Sequence, residues 1–233
     1  MRVAVVENTK ITHHGQVGVA LHEAGALVDQ FQPFAGQPLP RSPGNYDALV
    51  IFGGEQTALD DATHPYLPEL AQLMRAFSDA DRPVLGICLG AQILARAFGA
   101  ENHLGNAPEF GWQNVTLTDE GLDDPLLLAV SETFPIFQWH SDTFTLPEGA
   151  VLLATSEGAA TQAFRIGRAT YGTQFHFEAN RAVVADWTRT FPEMTERLQK
   201  GWAASLPDRA KTYGVSADET GLAIARAWVG LIE

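Results

Sequence analysis

Pro83-Val84-Leu85-Gly86-Ile87-Cys88-Leu89-Gly90-Ala91-Gln92 reads as a buried strand running into a tight turn, with the only cysteine of the chain at the apex and a helix directly after it. Gly86 and Gly90 stand two residues either side of Cys88, where side chains would obstruct a sharp strand-to-helix turn. That is the arrangement of a nucleophile elbow, with cysteine in the place of serine. From Gly90 to Phe98 the apolar residues Ile93, Leu94 and Ala97 recur with a helical period. A cysteine at that position meets the unpaired N–H groups and positive dipole end of the helix, which favour a thiolate over a thiol. The competing reading is a buried structural cysteine, because free cysteine packs as a small hydrophobe.

Upstream of the elbow the pattern is strand then helix, repeated. Val3 to Val6 is a short apolar run, and Gly15 to Ala24 carries Val17, Ala20, Leu21 and Ala24 on one helical face. Ala26 to Phe31 reads as a second strand, followed by a Pro/Gly-rich connection from Gln32 to Gly44. Tyr46 to Phe52 is a continuous apolar strand of the kind covered by helices on both sides, and it stops at Gly53-Gly54. A helix from about Pro65 to Ser78 returns the chain to the Val84 strand. The alternation predicts an α/β fold with a doubly wound, mostly parallel central sheet flanked by helices, whose ligands bind at the carboxyl ends of the strands.

Beyond Gly99 the texture changes. Short β-like pieces at Gln113 to Leu117, Phe134 to Trp139, Val151 to Thr155, Gln162 to Ile166 and Thr170 to Phe175 are separated by Pro/Gly/Asp turns and predict added antiparallel strands. From Arg181 the pattern is helical. Ser216-Ala217-Asp218-Glu219 has capping-box spacing, and Leu222, Ala225, Trp228, Val229 and Ile232 give the next helix one apolar face. No repeat, low-complexity tract or interdomain linker interrupts the chain. The expected organisation is a domain over residues 1–190 with a helical C-terminal extension over 191–233 packed on it.

Composition narrows the classes of function. With 45% hydrophobic and 18% charged residues, 233 residues can bury a substantial core. Fifteen basic against 28 acidic side chains leave a net charge of -13, which opposes nucleic acid as a partner. One cysteine excludes an intrachain disulfide, and no Cys-rich zinc spacing exists. The opening Met1 to Glu7 is too short an apolar run for a signal peptide or a membrane span, so the expectation is a cytoplasmic protein with no membrane contact.

A thiolate nucleophile needs a base, and the base needs an orienting acceptor. Of seven histidines, His13, His14, His22, His64 and His103 fall in loops or on helix surfaces and are expected to be solvated. Tyr171-Gly172-Thr173-Gln174-Phe175-His176-Phe177-Glu178 differs. It reads as a strand whose end carries His176 and Glu178 two residues apart, on one face and about 7 Å apart along the backbone. The carboxylate can then accept from one ring nitrogen while the other faces a thiol. An exposed strand end with two polar groups is the bland alternative.

Together, Gly86-Ile87-Cys88-Leu89-Gly90-Ala91-Gln92 and Gln174-Phe175-His176-Phe177-Glu178 resemble the class I glutamine amidotransferases, the group with a Cys-His-Glu triad, and among them stand-alone members related to the amidotransferase domain of GMP synthase. The resemblance covers roughly Val3 to Trp187. It implies a flavodoxin-like sheet and the following roles. Cys88 attacks the side-chain carboxamide of glutamine, or of a related γ-glutamyl amide, to form a γ-glutamyl thioester. His176 protonates the departing ammonia and then activates water, with Glu178 fixing its tautomer. The backbone N–H groups of Leu89 and Gly54 form the oxyanion hole, and Gly53 belongs to the same loop. Gln92 contacts the substrate, and Trp139-His140-Ser141-Asp142 resembles a loop that holds the amino-acid end of glutamine, so His140, Ser141 and Asp142 are implied binding residues. The resemblance calls for no metal and no cofactor, and the candidate partner it implies is an ammonia-accepting synthase subunit.

Three positions depart from the family pattern. Phe177 replaces a proline between His and Glu, Glu55 replaces a proline after Gly-Gly and predicts a more mobile oxyanion loop, and Ser141 replaces a glycine. None removes a reacting group. Two other readings stay open: a non-enzymatic regulatory or binding member of the fold, and a cysteine peptidase or chaperone-like relative, in which a histidine commonly follows the cysteine where Leu89 stands here.

Overall fold

The short apolar runs Val3 to Val6, Ala48 to Ile51 and Val84 to Ile87 form strands buried on both faces. The computed structural model describes residues 1–232. In chain order it contains β1 (Arg2–Val6), α1 (Gly15–Glu23), β2 (Leu27–Phe31), β3 (Ala48–Ile51), α2 (Leu67–Asp79), β4 (Val84–Ile87), α3 (Leu89–Ala97) and β5 (Asn102–His103). There follow β6 (Glu109–Leu117), α4 (Asp119–Leu122), β7 (Thr133–His140), β8 (Thr143–Phe144), β9 (Val151–Thr155), β10 (Ala163–Ile166) and β11 (Thr170–Thr173). The chain ends in α5 (Arg181–Thr190), α6 (Pro192–Leu198), α7 (Trp202–Arg209) and α8 (Val215–Val229).

The main sheet runs β2-β1-β3-β4-β11-β10-β9-β6-β7. From β2 to β11 every pairing is parallel, and from β11 to β7 every pairing is antiparallel. The period of two decides which helices meet which side chains. Val3, Val5, Val50 and Leu85 point into a core shared with Val17 and Leu21 of α1 and Ile224 and Trp228 of α8. Their neighbours Ala4, Val6, Leu49, Ile51 and Val84 point into a second core with Leu70, Met74 and Phe77 of α2 and Ile93 and Leu94 of α3. This is the predicted α/β architecture, with antiparallel strands added on one side.

Four local expectations are corrected. β11 is not an antiparallel addition: it lies parallel to β4 and turns antiparallel only toward β10, so it is the seam between the two halves of the sheet. It also ends at Thr173, so His176 and Glu178 sit beyond it in a turn rather than on a strand face. The capping box at Ser216 is absent, because the chain enters α8 already helical through a wide π-type turn over Ala210–Gly214, and α8 starts at Val215 without a side-chain cap. His14 is not solvated. Its Nε2 lies 2.7 Å from Glu7 Oε1 and its ring stacks on Phe52 at 4.9 Å.

The helices after α5 close the aromatic side of the core. Trp202 is fully buried, with its ring centroid 4.6 Å from Phe110 and 5.9 Å from Trp112, and its Nε1 donates to Thr188 Oγ1 at 2.9 Å. Trp228 is buried in the same cluster. Among the described residues, no helix is long and apolar enough to cross a membrane.

Candidate active site

The elbow is held by close backbone approach. Cys88 has φ 53° and ψ -108°, a conformation that side-chain-bearing residues avoid and that costs on the order of 1–3 kcal/mol. Its N–H donates to the carbonyl of Thr173 at 2.8 Å, which hangs the turn from β11, while its carbonyl accepts from Gln92 N–H at 3.1 Å to start α3. A Cβ on Gly86 would lie 2.5 Å from the Gly90 carbonyl oxygen, and one on Gly90 would collide with the carbonyl oxygen of Ile51 on β3. Both glycines are therefore needed for packing. Gly90→Ala is expected to cost about 3 kcal/mol, because backbone and not a flexible side chain stands in the way; a urea denaturation midpoint close to wild type would contradict this.

Beyond β11 the chain is caught by β7. His176 N–H donates to the carbonyl of Phe137 at 2.8 Å, an isolated bridge that fixes the backbone where the imidazole leaves it. The Glu178 carbonyl accepts from Gln16 N–H at 2.9 Å, and Gly15 lies so close that any side chain there would strike that carbonyl. Between these two anchors His176 Nδ1 meets Glu178 Oε1 at 2.7 Å. Cys88, His176 and Glu178 are 7%, 6% and 2% exposed, so the three groups interact with little water between them. Burial opposes a charged imidazole, but the Glu178 carboxylate and the Cys88 sulfur outweigh it and hold His176 well above its ordinary value of 6.5. With Nδ1 facing the carboxylate, Nε2 is the nitrogen left for the thiol.

All ten residues singled out from the sequence line one cavity of about 380 Å³. Gly53 lies at its floor, where an added Cβ would stand 3.2 Å from His176 Cε1 and 3.6 Å from Cys88 Cβ. Gly54 is packed against Leu89, with an added Cβ 2.8 Å from Leu89 Cδ2. Leu89 opens α3, and the first N–H groups of a helix have no acceptor inside it. Gln92 Nε2 donates to Gln174 Oε1 at 3.2 Å and to the Asp142 carbonyl at 3.4 Å, tying α3 to the loop after β7. In that loop Asp142 Oδ1 accepts from Gly105 N–H at 2.8 Å and from Ser141 Oγ at 3.3 Å. His140 lines the cavity, but its imidazole is turned inward between Glu109 Oε2, at 3.1 Å, and the Asp142 carbonyl, at 3.0 Å.

The loop expected to be mobile is tied at several points. Asn8 Nδ2 donates to the Phe52 carbonyl at 2.8 Å, Gln56 Nε2 donates to the Tyr66 hydroxyl at 2.5 Å, and Thr9 Oγ1 donates to Glu55 Oε1 at 3.2 Å. Burial pushes the Tyr66 phenol up to about 12, so it stays a donor to Asn8 Oδ1. Further contacts at the site are not assigned from the sequence. The carbonyl of Trp139 sits 3.8 Å from Cys88 Sγ, the ring of Trp187 stands 5.3 Å from the His176 imidazole, and Glu109 is buried behind His140. Only the isolated acid in an apolar strand, Glu109, could have been suspected from the sequence. Among the described residues, no group of three His, Cys, Asp or Glu side chains could hold a metal ion.

A thiol on a strained turn, an imidazole held charged by a carboxylate, and free N–H groups at a helix start define a site suited to acyl transfer on an α/β sheet. The comparisons with known proteins agree with that class. The model of the family described as glutamine amidotransferase class-I matches residues 6–184, and the chain belongs to that family. It is 33% identical over 181 residues to the glutamine amidotransferase-like protein YfeJ of Salmonella typhimurium, covering 76% of each chain. It is 29% identical to one subunit of the glutamine-hydrolyzing GMP synthase of Methanoregula boonei, over 74% of this chain and 89% of that one. Among solved structures, a glutamine amidotransferase from Thermotoga maritima superposes with a TM-score of 0.89 at 26% identity, covering 100% of this chain and 98% of the other.

Proposed function

We propose that the protein hydrolyses the γ-carboxamide of glutamine, or of a related γ-glutamyl amide, through a thioester on Cys88. The observation that carries this reading is the His176–Glu178 pair, 2.7 Å apart and buried in the same cavity as a cysteine on a strained elbow. Cys88 Sγ attacks the amide carbon as a thiolate, its proton already held by His176. The oxyanion is received by the N–H groups of Leu89 and Gly54. His176 gives its proton to the leaving nitrogen, then takes one from the water that cleaves the thioester, and Glu178 keeps Nδ1 protonated throughout. Gln92 and the loop from His140 to Asp142 bind the amino-acid end, His140 by positioning the loop. The names of the relatives from glutamine-hydrolyzing GMP synthases support glutamine as a substrate and a separate synthase chain as the acceptor of ammonia. A reducing compartment such as the cytoplasm suits a lone reactive thiol.

The test is labelling with a diazoketone analogue of glutamine, read by peptide mass spectrometry. A single adduct on Cys88 is expected, slowed strongly in His176→Ala. Folded protein that takes up no label, or takes it up elsewhere, would refute the reading.

A further inference from the structure

The cavity is larger than glutamine needs. A molecule of about ten heavy atoms fills roughly half of 380 Å³ at the density of packed organic matter, and the volume falls within the range of sites for larger small molecules. The lining of the cavity includes an aromatic wall beside His176. His176 is the group that protonates the leaving nitrogen, and the ring standing against it is Trp187, edge to face at 5.3 Å. Trp187 contacts Trp139 at 5.7 Å, and Trp139 contacts Phe191 at 5.8 Å. Met194 continues this wall of half-buried apolar side chains. Phe191 and Met194 come from the segment after residue 184, outside the part of the chain that matches the family model.

One cation stands at the end of the wall. Arg197, on the same helix as Met194, is the only Arg or Lys lining the cavity, and among the described residues it makes no ion pair or hydrogen bond. An exposed guanidinium at the cavity lining, on a chain of net charge -13, is available to pair with an anion. Ammonia would use neither the aromatic wall nor the charge.

We propose that Trp187, Trp139, Phe191, Met194 and Arg197 form a subsite for the amine half of the substrate, and that the substrate class is γ-glutamyl conjugates of aromatic α-amino acids. This rests on the Cys88 thioester reading and specifies it. The sulfur–carbon bond forms first to give the oxyanion, the carbon–nitrogen bond then breaks as the aromatic amino acid leaves with the proton from His176, and water cleaves the thioester to return the thiol and release glutamate. The wall holds the aromatic ring and Arg197 pairs with the carboxylate, and this binding raises kcat/KM by lowering KM.

The experiment compares kcat/KM for glutamine, γ-glutamylphenylalanine and γ-glutamylphenethylamide, the last having the ring without the carboxylate, in wild type, Arg197→Gln and Cys88→Ala. In wild type the phenylalanine conjugate is expected to exceed glutamine by at least about tenfold, in line with the worth of one buried apolar group. Arg197→Gln, at an exposed position, is expected to lower the phenylalanine conjugate about tenfold through KM, so that its advantage over the phenethylamide disappears. Glutamine turned over faster than both conjugates would overturn the subsite while leaving the thioester mechanism standing. An advantage that Arg197→Gln does not reduce would overturn the carboxylate assignment. If none of the three is turned over in a Cys88-dependent way, the mechanism falls and the subsite with it.

Discussion

Cys88→Ala is expected to lose amide hydrolysis by roughly 10⁴-fold or more, because the only cysteine of the chain carries the acyl intermediate in the proposed route. The fold should survive. Cys88 is buried and packs as a small apolar side chain, the hydrogen bonds of the elbow run through its backbone, and alanine at φ 53° bears the same strain that cysteine already bears. Thermal unfolding within a few degrees of wild type, together with ammonia and glutamate release at background, is the anticipated pair of readings. Residual activity near that of wild type would leave the cavity without its proposed nucleophile. Cys88→Ser is expected to behave almost as badly, since a hydroxyl gives up its proton far less readily than a thiol.

Glu178→Gln should separate the proton chemistry from the attack. The carboxylate accepts from His176 Nδ1 and favours the imidazolium, whereas a buried amide can present its NH₂ and stabilise the wrong tautomer. A fall in kcat of about 10²–10⁴-fold is expected. The pH profile carries the sign. His176 must be charged to protonate the leaving nitrogen, so removing its partner moves the alkaline limb to lower pH. The same pairing reaches stability through linkage: a histidine raised in the folded state contributes fully below its ordinary 6.5 and loses that contribution as pH rises through the folded value. The difference in urea midpoint between wild type and Glu178→Gln should therefore be larger at pH 6 than at pH 9. A difference that grows toward pH 9, or an unmoved alkaline limb, would show that Glu178 does not support the charge.

The elbow was legible because two kinds of signal coincide within ten residues. The run before Cys88 is apolar throughout, as a strand with covered faces must be, and the glycines occupy the two places where backbone meets backbone. The partnership of His176 with Glu178 was also legible, although its geometry was not. A spacing of two suggests a strand face, whereas the two side chains meet because the chain turns after Thr173 and is pinned by Phe137 and Gln16. Strand direction left no trace in β11, since the short stretch Thr170-Tyr171-Gly172-Thr173, buried throughout, serves equally in a parallel or an antiparallel ladder. Distant contacts were the hardest to read. Nothing near Trp202 in the chain announces Phe110, and nothing near His14 announces Glu7 as its partner rather than water. Periodicity tells which side of an element is buried and is silent on what buries it.

β4 and β11 lie side by side in the sheet, yet everything from α3 to β10 is made between them. A ribosome therefore delivers the sulfur long before the ring that will serve it, and no amino-terminal portion ending ahead of residue 176 holds both. From Cys88 to His176 the ribosome adds 88 residues with the thiol unassisted, and the three groups come together only when β11 enters the middle of the sheet.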